Sequence, residues 1–241
     1  MMQHVRRVGL FAGLAIATGL LQLPAAAQER FEVKSIKAVR PTIVDTIGAL
    51  EKRDAPHARA AFEAYDSAWN GVEVYVNTRS REMYQTLEHG FQARITKGLE
   101  AASPDMAAIL TEARGLLAKF DEMVAMVEKA APLNPLFDDV ARLRIVRSHL
   151  RDVVPALKAG NFEKARKSFA DFDENWDSIE DLIKARSGDD YVAIEKGMIE
   201  IEQALMPDKP DAATTTGLVN DVMAKYNAHV AELTKEARAR R

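Results

Sequence analysis

The sequence predicts an all-α fold: a tandem duplication of an antiparallel four-helix unit, about eight helices in all. Three observations carry this. Arg59 to Glu88 reads RAAFEAYDSAWNGVEVYVNTRSREMYQTLE, and Arg166 to Glu195 reads RKSFADFDENWDSIEDLIKARSGDDYVAIE, at a constant offset of 107. Phe62, Tyr65, Asp66, Trp69 and Glu73 recur as Phe169, Phe172, Asp173, Trp176 and Glu180; Arg79, Ser80, Tyr84 and Glu88 recur as Arg186, Ser187, Tyr191 and Glu195. A repeat of this length is the first thing to establish about a fold. Apolar residues recur at helical spacing through most of the chain. The connections are mostly short, which favours antiparallel neighbours in a bundle.

The repeat extends both ways. Ile36 to Leu50 aligns with Leu143 to Leu157 at the same offset, and Ala118 to Ala131 aligns with Ala224 to Ala237 at an offset of 106. One residue is therefore lost between the halves, and a loop is the expected place for it. The expected organisation is a signal peptide at 1–27, a first repeat at 28–132 and a second at 133–241. The start fits export: Arg6 and Arg7 precede the apolar run LFAGLAIATGLLQL, and Ala25 and Ala27 offer a small-residue cleavage site. That run is short for a membrane span of about twenty residues. No later segment is apolar enough to cross a membrane, so no span is expected after cleavage, and a periplasmic location is predicted.

Hydrophobic residues make up 47% of the chain and charged residues 29%, as in soluble globular proteins. The chain has 33 basic and 36 acidic residues; without Arg6 and Arg7 the mature chain carries 31 − 36 = −5. That sign argues against nucleic acid as a partner. There is no cysteine, so the exported chain folds without disulfides, and attachment of a c-type haem is excluded.

Taken in order, the first helix is expected over Phe31–Glu51, with Val33, Ile36, Val39, Ile43 and Ile47 as its stripe and a kink at Pro41. The second runs from Pro56 to Asn77 on Phe62, Tyr65, Trp69, Val72 and Val76; it continues through Gly71, at about 1 kcal/mol of local cost. Ser80 caps the third helix, as Ser187 does in the copy. That third helix carries Tyr84, Leu87, Phe91 and Ile95 and ends near Leu99. Ser103-Pro104-Asp105 signals the fourth, which presents Ile109, Leu116, Phe120, Val124 and Val127 and stops before Pro132. After the linker with Pro132 and Pro135, helices are expected over Leu136–Lys158, Phe162–Ala185 and Asp189–Leu205. A loop over Met206–Gly217 leads to the last helix, whose basic end suits the dipole.

The repeated acids are the candidate functional residues. Asp66, Trp69 and Glu73 share one helical face, and Tyr84 and Glu88 lie one turn apart on the next helix. Glu73 and Glu88 sit seven and eight residues either side of Ser80, roughly 11 Å from the turn at 1.5 Å per residue. Glu180 and Glu195 repeat that geometry. Facing carboxylates in a bundle are one way to build a metal site, and carboxylates suit hard cations. The candidate metal ligands are therefore Asp66, Glu73, Glu88, Asp173, Glu180 and Glu195, joined by His229 and Glu232, which spell HxxE. The competing reading is structural: Glu73 or Glu88 pairs with Arg79 or Arg40, and Glu180 or Glu195 with Arg186 or Arg147. Trp69 and Trp176 are expected in the core; a sugar-binding groove would need their faces open. No HExxH motif, repeated ExxH pattern or catalytic nucleophile setting occurs.

The string F-x-x-[YF]-D-x-x-W-x-x-[VI]-E followed by R-S-x-x-x-Y-x-x-[LI]-E resembles the periplasmic helical domains associated with bacterial high-affinity iron permeases, and the wider imelysin-like group of duplicated helical bundles. Phe62 through Glu88 and Phe169 through Glu195 carry it. The resemblance implies an exported accessory that binds iron, or another divalent or trivalent cation, and hands it to an inner-membrane iron permease. The permease membrane domain and its glutamate motifs are absent from this sequence. Two alternatives stand beside it: a structural or protein-interaction module of the cell envelope without metal, and an envelope polysaccharide-binding protein.

Overall fold

The computed structural model describes residues 29–240; the expected signal peptide lies outside them. Among the described residues the chain is helical and has no strand. The elements are α1 (Phe31–Lys37), α2 (Arg40–Glu51), α3 (Ala55–Arg79), α4 (Arg81–Gln85), a π-helical segment π1 (Thr86–Gln92), α5 (Ala93–Glu100), α6 (Met106–Lys129), α7 (Leu136–Lys158), α8 (Phe162–Trp176), α9 (Glu180–Lys184), α10 (Gly188–Leu205) and α11 (Ala212–Ala239). With α1–α2, α4–π1–α5 and α8–α9 each taken as one interrupted rod, each half has four rods, as the sequence predicts. No helix among the described residues is long and apolar enough to cross a membrane.

Local signals account for most of the boundaries. Asp54, Ser80 and Asp105 cap α3, α4 and α6 by accepting from first-turn amides, and Asn161, Ser187 and Asp211 do the same for α8, α10 and α11. The cap of α6 is thus Asp105. Asp211 starts α11 at Ala212, inside the segment expected as a loop. Pro41 causes no mid-helix kink. The rod breaks at Ala38–Val39, and Pro41 is the second residue of α2, where its missing amide costs nothing. Gly160 takes φ +69° in the turn before α8; at the matching turn Arg53 sits at φ 56°, where L side chains are uncommon.

Two departures from the expected plan fall inside helices. The rod expected over Phe162–Ala185 breaks between Trp176 and Glu180. The residue that changes the repeat offset lies in no loop. The buried positions of α4–π1–α5 are Leu87, Gln92, Ile95 and Leu99; those of α10 are Ile194, Met198, Ile201 and Leu205. The offset is 107 at Leu87 and 106 from Gln92 onward, so the extra residue is absorbed by π1. A π segment takes up one inserted residue without breaking the rod, and such segments are frequent at functional sites. Its consequence is specific: Gln92, and not the expected Phe91, points into the first half.

The buried residues of both halves form one connected core. The join is α3 against α7. Gly71 lies at the crossing: a Cβ there would stand 2.6 Å from Ile145 Cγ1 and 3.2 Å from Ile145 Cα. This close approach explains a glycine in mid-helix.

Candidate functional site

The polar residues singled out by the repeat converge on the α3–α7 join and on the indole beside it. Descending α3, Asp66, Asn70 and Glu73 meet Arg151, Arg147 and Arg144, which share one face of antiparallel α7. Arg151 Nη2 donates to Asp66 Oδ2 at 3.0 Å, Arg147 Nη2 to Asn70 Oδ1 at 2.6 Å, and Arg144 Nη2 to Glu73 Oε1. Ser67 Oγ to Asp152 Oδ2 (2.8 Å) and Tyr75 Oη to Asp138 Oδ1 (2.7 Å) extend the seam at either end. The Glu73 and Arg144 side chains are only 13% and 17% exposed. Burial, and then the charge of Arg144, lower Arg147 to about 10.

Behind the seam lies the aromatic stack Phe62–Tyr65–Trp69, with Phe120 edge-on to the indole. Trp69 Nε1 donates to Glu88 Oε2 at 2.5 Å. In the second half Trp176 Nε1 donates to Glu195 in the same way. The two indoles are 1% and 2% exposed, so they are core residues and offer no open face to a sugar. Each repeated Trp-Glu pair is a buried donor matched to the one acceptor that faces it.

Neither a family model, a curated protein nor a solved structure matches this chain.

Among the described residues no group of three or more His, Asp or Glu side chains could hold a metal ion. Asp66 accepts from Gln92 Nε2 (2.5 Å) and Arg151, Glu73 from Arg144, Glu88 from Trp69 and Glu195 from Trp176. Asp173 and Glu232 are exposed, and Glu180 is half-buried beside Tyr191. His229 Nε2 lies 3.1 Å from Asp190 Oδ2 across α10 and α11, so it engages Asp190 and not Glu232. The expected arginine partners also differ. Arg79 pairs with buried Glu32 at 2.7 Å, Arg40 with Asp121 at 2.8 Å, and Arg186 with Glu236 at 3.3 Å. Each of those arginines faces the helix on its own side of the bundle. The α3 acids face α7 instead.

The halves differ where the seam ends. In the first, Tyr65 Oη and Gln92 Oε1 are buried and make no protein hydrogen bond; the matching residues in the second are Phe172 and Met198. Burial, then Glu88, raises Tyr65 well above its usual range. A groove of about 810 Å³ opens beside this spot between α3, α5, α7 and α8. Its Arg151 and Lys164 are paired with Asp66 and Glu63.

Burial also raises Glu88 above 4.5, against the lowering effect of the Trp69 hydrogen bond, with Glu73 and Asp66 adding to the rise. The folded state therefore favours its protonated form. Its contribution is fully present below the unfolded value and is lost as pH rises through the folded one. Glu88→Gln keeps an acceptor for the indole but cannot ionise. The variant is expected to gain stability relative to the parent as pH rises above about 4.5, read from urea midpoints at a series of pH values. A parent-to-variant difference that stays constant with pH would refute this.

Proposed function

We propose that this chain is an exported helical module of the cell envelope that works through protein contacts, with its repeated acids serving as architecture. The observation that supports the reading is the seam: Asp66 and Glu73 end on arginines of the other half, and Glu88 and Glu195 on buried indoles. A side chain committed to a fixed donor must give it up to bind a cation, leaving a buried arginine or indole unpaired. The test is Glu73→Gln in the mature protein, read by thermal melt and by ferric and ferrous iron titration. The reading expects a melt lowered by several degrees, from about 1–3 kcal/mol of lost charged hydrogen bonding, and no stoichiometric iron binding by parent or variant. An unchanged melt, or stoichiometric iron binding by the parent, would overturn it.

One observation favours the second reading, a periplasmic iron-binding accessory to a permease. Tyr65 Oη and Gln92 Oε1 add two buried oxygen atoms without protein partners near Glu88, and oxygen donors suit hard cations. On this reading iron binding survives Glu73→Gln and is lost in Tyr65→Phe.

A further inference from the structure

The contact between α3 and α7 has two unpaired counterparts, one in each half of the chain. Repeat architectures bury a face of each unit against the next, and the terminal units are left with faces that have no neighbour. Here α7 covers α3 in the first half. By the repeat offset, the matching face in the second half is on α8–α9, and it carries Asp173, Asp177 and Asp181, all exposed. The face matching α7 in the first half is on α1–α2. It carries Lys37, Ala38 and Arg40, also exposed. The charges are complementary at two of the four steps; at the other two, the pair matching Asp66–Arg151 is Asp173 and Val44, and the pair matching Ser67–Asp152 is Glu174 and Asp45, two acids. The pair matching Glu73–Arg144 is Glu180 and Lys37, and the pair matching Asn70–Arg147 is Asp177 and Arg40.

The sizes at the crossing point agree too. In the formed contact a large residue, Ile145, sits over Gly71. The matching open residues are Ala38 and Ser178, which divide the same space between two small side chains. Arg40 holds Asp121 through Nε and Nη2. Its counterpart Arg147 holds Asn227 with one Nη and reaches Asn70 with the other. An arginine here can therefore serve its own half and a neighbour together. Lys37 pairs with Glu29 and Glu128, and Asp45, on the same α2 face, is the acid that opposes the match. Both open rods are interrupted at this level, at Ala38–Val39 and between Trp176 and Glu180, whereas α3 and α7 run straight through.

We propose that the α8–α9 face of one molecule takes the α1–α2 face of a second copy, so that chains associate head to tail through Glu180 with Lys37 and Asp177 with Arg40. The contact is polar, and so it is weak and salt-sensitive. A heterologous contact of this kind extends into an open row, or into a ring where its rotation closes, and does not make an isologous pair. The proposal rests on the protein-contact reading above and names the partner.

The absence of cysteine makes the test direct. Two single variants of the mature chain, Ser178→Cys and Ala38→Cys, one of them size-tagged, are mixed in equal amounts and oxidised gently. Both positions are exposed, so the fold is retained. Head-to-tail pairing predicts that the mixed disulfide dimer exceeds the two like dimers together severalfold at low salt. The excess should vanish in about 1 M salt, where charges more than ~3 Å apart are screened. Glu180→Lys in the first variant is expected to remove the excess, and Lys37→Glu in the second to restore it. A statistical mixture, or a preference for like dimers, overturns the pairing. The Glu73→Gln melt and iron titration judge the protein-contact reading separately.

Discussion

Trp69→Ala is expected to destabilise the protein by about 3–5 kcal/mol, the range for removing a large aromatic from a packed core. The indole is 1% exposed, stacks on Tyr65 with centroids 6.3 Å apart, and meets Phe120 edge-on at the same distance. Truncation opens a cavity between two helices and also leaves the Glu88 carboxylate without its donor. Trp69→Phe separates the two effects. It keeps an aromatic ring but loses the N–H and the rest of the bicycle, so about 1–3 kcal/mol is expected from the orphaned acceptor, with a smaller cavity cost than in Trp69→Ala. Urea unfolding followed by far-ultraviolet circular dichroism measures both. If the two variants cost the same, cavity formation is not what the indole prevents. If Trp69→Phe costs nothing, the Glu88 contact has no energetic role.

The second large effect is expected at the seam. Arg144→Met removes the partner of Glu73 from a site where both side chains are mostly buried. Leaving one charge of such a pair uncompensated costs about 3–5 kcal/mol, whereas replacing both members with groups of similar shape is often close to neutral. The single variant is therefore expected at the lower part of that range, since some solvent reaches the pair. The double variant Arg144→Met with Glu73→Gln is expected to recover a large share of the loss, with a coupling of about 0.5–3 kcal/mol. Strictly additive costs would mean that the two residues act independently and that the seam is not held by their pairing.

Arg144 also shows where sequence reasoning stopped. Arg144, Arg147 and Arg151 lie at i, i+3 and i+7, a signal that three cations share a helical face. Nothing local says what that face meets. Glu73 lies 71 positions away, and the nearer arginines, Arg79 and Arg40, are equally good partners on chemistry alone. Gln92 was missed for another reason. The change of offset from 107 to 106 was visible, but the position of an inserted residue is not. A loop and a π segment both absorb one residue, and only the run of buried positions Leu87, Gln92, Ile95 and Leu99 tells them apart.

The sequence by itself determined what depends on short-range periodicity and capping. The all-helical class, four rods in each half, the buried indoles and the Ser80 and Ser187 caps all follow from spacings of a few residues, which the 3.6-residue turn converts directly into faces and ends. Only the tertiary structure decided which charge meets which, that α7 closes the first half while the matching face of α8–α9 stays open, and that the extra residue sits beside Trp69 and Asp66. These outcomes turn on how rods far apart in the chain lie against one another, and the pattern within each rod is the same whichever neighbour it finds.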